Sequence, residues 1–302
     1  MDAIYLQLDE ESGITGDMKT IRIIVCLLLS ISGVYCQDTI RILAIGNSFS
    51  EDAAESYVDD LAKADGVKLI IANLYKGGCP LETHWNNAST NNDGYSYRKI
   101  VDGDTTILDK KSILYAVKDA KWDYITFQQV SQNSGMYDTY FPYLTNLMKY
   151  VKDNVTNPSV KYAFHQTWAY AANSTHGGFV NYKKDQTVMY HKIVCTVNKV
   201  SSEVGINIII PSGTAIQNAR TSYIGDHFNR DGYHLSLGIG RYTAACTWYE
   251  KMLGRTVIGN SFYPKGLTNA EVKIAQTAAH YAVLEPNKVT SMINLTPDAA
   301  TK

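Results

Sequence analysis

The chain has 302 residues, 45% of them hydrophobic and 19% charged, which excludes a disordered or fibrous protein and leaves room for one large α/β domain or two small ones. The formal net charge is −1, and residues 1–36 carry five acids against two bases, so the rest is close to neutral. Neither balance gives an electrostatic reason to bind nucleic acid or an anionic membrane surface.

The N-terminal stretch reads as a targeting segment. Lys19 and Arg22 precede the apolar run IIVCLLLSISGVYC, which has signal-peptide length and is too short to span a bilayer comfortably. Val34 and Cys36 occupy the −3 and −1 positions of a cut before Gln37. Residues 1–36 are therefore expected to be a signal peptide, with Met18 an alternative start that would place residues 1–17 upstream. The protein is then expected to be secreted or periplasmic. Lipidation at Cys36 is the less favoured variant, because Tyr35 is bulky where a lipidation signal wants a small residue. Cys79, Cys195 and Cys246 would remain, an odd set at irregular spacing that argues against a disulfide framework, and no CxxC pair suggests zinc.

From residue 39 strands and helices alternate. IRILAIG is a continuous apolar run of the kind buried on both faces of a sheet. Ser50 can cap the helix that follows, with Glu51 and Asp52 in its first turn and Ala54, Tyr57, Val58 and Leu61 at helical spacing. A second strand is predicted over 67–75, closed by Gly77-Gly78. Residues 82–106 show little periodicity and read as a long loop. Residues 107–120 read as an amphipathic helix, 122–130 as the third strand, 160–168 as the fourth and 206–213 as the fifth. Helices are expected between them, over 140–154 and 182–204, and after them, over 235–254 and from about Ala270, where Thr268 and Glu271 fit a capping box. This order predicts a three-layer α/β/α, flavodoxin-like fold with about five parallel strands in a single domain, 37–285, followed by a tail, 286–302.

In such sheets ligands bind beyond the carboxyl ends of the strands. Gly46-Asn47-Ser48 follows the first predicted strand, and Gly77, Gly78 and Cys79 the second. Gln128, Gln129, Ser131 and Asn133 come with the third, His165, Gln166 and Trp168 with the fourth, and GDHFNRDGYHLS, holding Asp231 and His234, follows the fifth. A serine, a histidine and an aspartate thus share one sheet edge with glycines and amides. Acyl transfer needs such a set. A hydroxyl becomes nucleophilic when a base takes its proton, the base needs a third group to fix its tautomer, and the oxyanion needs fixed donors. A three-residue spacing on a turn lets Asp231 meet Nδ1 of His234 while Nε2 points to Ser48.

The order and spacing of these blocks resemble the SGNH/GDSL hydrolase superfamily over about residues 40–253, and more narrowly a secreted gut-bacterial branch of it. GNSFS resembles the nucleophile block, with Asn47 where the GDS form has aspartate. Gly77 or Gly78 matches the glycine block, and DGYH the Asp-x-x-His block. FQQVSQNSG departs from Gly-x-Asn-Asp and is similar to the glutamine-bearing form of sialate O-acetylesterase and acetylxylan esterase types. The resemblance implies a serine esterase with Ser48, His234 and Asp231 as triad. The N–H groups of Ser48 and Gly78 and the amide of Gln129 would form the oxyanion hole. A gap-free alignment puts Gln132 or Asn133 there instead of Gln129. No metal or cofactor is implied. The substrate expected by analogy is an acetylated carbohydrate, in keeping with a chain of 22 tyrosines and a polar 82–106 stretch. A lipid-acyl esterase or thioesterase and a non-catalytic glycan-binding protein are the rival readings. His84, His176 and His227 read as loop histidines, Asp226-His227 lacks the spacing of an acid/base pair, and Cys79 reads as a packing residue.

Overall fold

The computed structural model describes residues 39–297. The expected signal peptide, Met18 and Cys36 lie outside the described residues. β1 (Ile40–Gly46) leads into a short helix, α1 (Ser48–Ser50), which continues as a π-helical turn over Glu51–Glu55 before α2 (Val58–Ala64). β2 (Leu69–Tyr75) and α3 (Leu81–Ser89) precede a hairpin of β3 (Tyr95–Val101) and β4 (Asp104–Lys111), which ends at α4 (Ile113–Lys118). Then come β5 (Tyr124–Phe127), α5 (Tyr143–Asn154), β6 (Lys161–His165), α6 (Gln186–Val204) and β7 (Ile208–Ile210). α7 (Ser212–Arg220), α8 (Ile239–Leu253) and α9 (Asn269–Leu284) complete the order.

The strands form one sheet in the order β4-β3-β2-β1-β5-β6-β7, flanked by helices as a three-layer α/β/α fold. β1, β2, β5, β6 and β7 are parallel to one another, while β3 and β4 join the edge beside β2 antiparallel, and the five parallel strands are those the apolar runs predict. Among those five the order is 2-1-3-4-5, the flavodoxin-like doubly wound arrangement, whose switch point falls beside β1. β1 is the centre of the core: Ile42, Leu43, Ala44 and Ile45 are all buried, as a strand covered on both faces requires. α3, α4 and α5 pack as one group of helices, and α2, α7, α8 and α9 as another.

The predicted loop over 82–106 is instead a helix and an antiparallel strand, and the predicted helix over 107–120 is a strand followed by a short helix. β4 lies at the sheet edge with nearly every residue exposed, so it has no buried face to write an alternating pattern into the sequence. The local signal was the dipeptide Asp102-Gly103. Both residues have positive φ (51° and 88°) and join the Val101–Asp104 pair, as a two-residue type I′ hairpin demands. α4 starts only at Ser112, whose side chain accepts from the Tyr115 N–H at 3.2 Å. The Thr268–Glu271 capping box is present at α9. The segment after α9, set apart as a tail, runs along α7. Asn218 Oδ1 accepts from the Thr290 N–H (2.7 Å), Thr221 Oγ1 accepts from the Met292 N–H (2.6 Å), and Met292 is buried.

Candidate active site

Ser48 stands at the first turn after β1, and Asn47 fixes that turn. Its Oδ1 accepts from the Phe49 N–H (3.0 Å) and from Gln128 Nε2 (2.6 Å), while its Nδ2 donates to the Cys79 carbonyl (3.2 Å). The buried side chain therefore ties together the ends of β1 and β5 and the turn after β2. The cap expected from Ser50 is supplied by Asn47, because Ser50 Oγ donates inward to the Asn47 carbonyl and contacts Asn73 Oδ1, each at 2.8 Å. Gly46 is required by close approach, since a Cβ there would lie 2.3 Å from Ser50 Oγ and 3.1 Å from Gln128 Cδ.

The hydrogen bonds assign the polar chain beneath the turn. Asn47 Oδ1 is held by a backbone donor, so Gln128 presents its NH₂ to Asn47 and its carbonyl to His165 Nδ1 at 2.9 Å. Burial pushes His165 down to about 3, so its ring is neutral. Nδ1–H then donates to Gln128, and Nε2 accepts from Ser212 Oγ at 3.0 Å.

Above this layer Ser48 Oγ lies 2.9 Å from His234 Nε2, and His234 Nδ1 lies 2.7 Å from Asp231 Oδ2. The other carboxylate oxygen accepts from the N–H groups of His234 (2.7 Å) and Tyr233 (3.1 Å). Partial burial alone would raise the Asp231 carboxyl. The hydrogen bonds from the His234 ring and from the two backbone N–H groups outweigh it and hold the group below the usual carboxylate range. An ionised Asp231 requires the proton of a neutral His234 to sit on Nδ1, which leaves Nε2 to accept from the serine hydroxyl. Gly232, between them, has φ +86°, and a Cβ there would meet the Ser174 backbone at 3.0 Å.

The histidine-bearing loop is anchored through Asp52, a fully buried carboxylate in the π-helical turn just after Ser48. Its Oδ1 meets Arg230 Nη1 (3.0 Å) and Arg241 Nη2 (2.7 Å), and its Oδ2 accepts from the Leu235 N–H (2.7 Å). Phe49 stacks on Trp168 with ring centroids 4.3 Å apart, and Trp168 Nε1 donates to the Tyr233 carbonyl at 2.8 Å.

Ser48 and His234 open on a cleft of about 280 Å³ whose walls include Gly77, Gly78, Tyr75, Gln132, His176 and Tyr233. The turn after β2 closes with a bond from the Cys79 N–H to the Lys76 carbonyl (3.2 Å), which leaves the Gly78 N–H unspent by it. Gly78 has φ +60°, a conformation that favours glycine.

Gln129 is a correction. Its Oε1 accepts from the N–H groups of Leu81 (3.0 Å) and Val130 (2.8 Å), and its Nε2 donates to the Thr139 carbonyl (3.0 Å). It is buried, lies outside the cleft wall and completes the N-terminus of α3, where Pro80 offers no side-chain cap. The pleat that would have aimed it at the cleft ends with β5 at Phe127. Gln132, and not Asn133, lines the cleft, and its Nε2 makes no hydrogen bond among the described residues. Gln128 belongs to the layer below. Cys79 is buried and its thiol is pushed up to about 12 by that burial, so it is no thiolate nucleophile near neutral pH. His84 is fully buried, pushed down to about 3 by burial, and paired with the Tyr95 hydroxyl at 3.0 Å. Asp226 accepts from the Ala172 N–H (2.7 Å) and pairs with Arg220 (2.8 Å), so it does not serve His227. His176 does line the cleft. Asp52 and Arg241 carried no motif. Among the described residues no group of three or more His, Cys, Asp or Glu is placed to hold a metal ion, and no helix is long and apolar enough to cross a membrane.

Fold and site together define a doubly wound α/β/α protein with a hydrogen-bonded serine–histidine–aspartate array at its topological switch point. The chain belongs to the DUF4886 family, a domain of unknown function, whose model matches residues 41–282. The crystal structure of a DUF4886 family protein from Bacteroides uniformis is 52% identical, with a TM-score of 0.83 over 84% of this chain and 98% of that one. A candidate SGNH hydrolase from Slackia heliotrinireducens is 19% identical, with a TM-score of 0.48 over 71% of this chain and 100% of that one. An acetylxylan esterase from Geobacillus stearothermophilus is 12% identical, with a TM-score of 0.43 over 76% of this chain and 99% of that one. Among curated proteins none is found to match the chain.

Replacing Asp52 by Ala leaves two arginines without their carboxylate, though Arg230 keeps the Leu235 carbonyl and Arg241 keeps Ser56 Oγ, and leaves the Leu235 N–H without its acceptor. Arg230 and Arg241 keep some exposure, so the expected loss is about 3 kcal/mol, the low end for a broken buried pair. The shift of the denaturant midpoint at unchanged m-value measures it.

Proposed function

We propose that this protein is a serine esterase of the SGNH type, exported from the cell, that removes short acyl groups, foremost O-acetyl, from carbohydrate. The observation that carries the reading is the line from Ser48 Oγ to His234 Nε2 and from His234 Nδ1 to Asp231, open to a cleft beside the Gly78 turn. His234 takes the serine proton as Ser48 Oγ bonds to the ester carbonyl carbon. The carbonyl oxygen becomes an oxyanion, received by the N–H groups of Ser48 and Gly78 and by the amide of Gln132. Ser48 leads a helix, so its N–H has no intrahelical acceptor. His234 then protonates the leaving alcohol, an acyl-serine remains, and water activated by the same imidazole releases the acid.

A short acyl group and a polar alcohol are supported by the size and walls of the cleft. A cleft of about 280 Å³ whose walls set Gly77, Gly78, Gln132, His176, Tyr75 and Tyr233 beside Phe49 and Val130 has the size of a small ligand's site. Export is supported by the apolar run behind Lys19 and Arg22.

Ser48→Ala should lower kcat by about 10⁴-fold or more without unfolding the protein, because triad groups act as a unit. Acetate release from acetylated glycans, beside p-nitrophenyl esters of increasing chain length, tests the reading. A folded Ser48→Ala protein with near-wild-type turnover, or a preference for long chains, contradicts it. Gln132→Ala should lower kcat by about 10²–10³-fold with KM little changed, as loss of one oxyanion donor does. Gln129→Ala should instead lower thermal stability, and a reversed result returns the donor role to Gln129.

The pH profile has a definite sign. The Asp231 carboxyl is depressed in the folded protein, so its stabilising contribution is present above its unfolded value of about 3.9 and is lost only as pH falls through the lower folded value. Asp231 therefore stays ionised through the usual carboxylate range, and a side-chain carboxyl NMR titration of Asp231 with its midpoint at or above about 3.9 would contradict this assignment.

A further inference from the structure

The cleft holds a second imidazole whose tautomer the backbone fixes. His176 Nδ1 accepts from the Gly178 N–H at 3.0 Å, at the start of the 3₁₀ segment Gly177–Tyr182. A backbone N–H can only donate, so Nδ1 carries no proton, and the proton of the neutral ring sits on Nε2. The ring is held between Tyr170 and Tyr233, with centroids 4.8 Å and 4.7 Å away. Burial, with His234 nearby, holds the group below the usual imidazole range despite the attraction of Asp231, which keeps the neutral form dominant. Nε2 makes no hydrogen bond among the described residues, yet the ring is part of the cleft wall. A rigid, neutral N–H donor is left without an acceptor beside the reacting serine.

Tyr233 indicates which part of a substrate it would meet. This ring packs against both imidazoles, 4.7 Å from His176 and 4.1 Å from His234. His234 is the group that hands a proton to the leaving oxygen in the esterase reading, on which this inference rests. His176 thus shares a wall with the alcohol side of the ester.

We propose that His176 is a specificity-determining residue that donates from Nε2 to an oxygen of the alcohol portion, a hydroxyl or ring oxygen of a sugar. The site then selects esters of polyhydroxylated alcohols over esters of plain ones of the same size. A donor dedicated to a substrate oxygen discriminates through the hydrogen bond it makes, and a single such bond accounts for about a tenfold preference.

The test compares acetate release from a monoacetylated methyl glucoside and from cyclohexyl acetate, a ring of similar size with neither hydroxyls nor ring oxygen. In His176→Ala the ratio of the two kcat/KM values should fall about tenfold, through KM of the sugar ester. His176→Gln, whose amide can donate from a similar position, should recover part of it. A ratio that does not move, or an equal fall on both esters, overturns the assignment, the second outcome making His176 an oxyanion donor or a structural residue. A wild type that cleaves cyclohexyl acetate but not the sugar ester overturns this inference and leaves the esterase reading standing. A wild type that cleaves neither overturns the inference, and the reaction of Ser48 with a fluorophosphonate then decides whether the esterase reading falls as well.

Discussion

The buried carboxylate of Asp52 is the constraint on which the cleft depends. Ser48 and His234 are 186 residues apart in the chain, and hydrogen-bond contact between them requires the loop of Asp231 and His234 to be held against the helix that Ser48 begins. Asp52 does this four residues after Ser48, by accepting from the Leu235 N–H and pairing with Arg230 and Arg241. A carboxylate taken out of water is stable only with such a full set of partners. The same requirement makes the anchor selective: when the loop moves, Asp52 loses Arg230 and the Leu235 N–H and keeps only Arg241 of α8, so misplacement of His234 carries an energetic cost. The π-helical turn that bears Asp52 is a conformation found often at functional sites.

A second polar layer works from below. Asn47, Gln128, His165 and Ser212 form a buried chain of hydrogen bonds across the carboxyl ends of β1, β5, β6 and β7. Each donor in it has one acceptor, because the chain begins at a backbone N–H and the His165 ring is neutral. Such a chain fixes the relative height of neighbouring strand ends, and so the height of Ser48 over the sheet. The Asn47 carboxamide also holds the Cys79 carbonyl, which couples the serine turn to the Gly77-Gly78 turn. The groups proposed to attack the ester and to receive its oxyanion are thus set by one side chain.

The five parallel strands were legible in the sequence because each is written as an apolar run, from the fully buried centre of β1 to the partly buried edge strand β7. The β3–β4 hairpin was not, since β4 is an exposed edge strand and its only mark was Asp102-Gly103. The hydrogen-bonded set of Ser48, His234 and Asp231 was legible as a juxtaposition because all three fall in two short turns at one sheet edge. The amide that faces the cleft was not. Which of four neighbouring amides faces the cleft depends on where β5 ends, and the chain turns away after Phe127, sending Gln129 to the N-terminus of α3 and bringing Gln132 to the cleft wall. Asp52 and His176 were invisible for a related reason. An acid near a helix start and a histidine in a polar loop look ordinary until the fold shows what surrounds them.

The central claim is that the His234 contact makes Ser48 a nucleophile. The most direct measurement is reaction of the folded protein with a fluorophosphonate, followed by peptide mass spectrometry, in wild type and in His234→Ala. A single adduct on Ser48, at least 10³-fold slower to form in His234→Ala, is the expected result. An adduct on another residue, or equal rates in the two proteins, would contradict it.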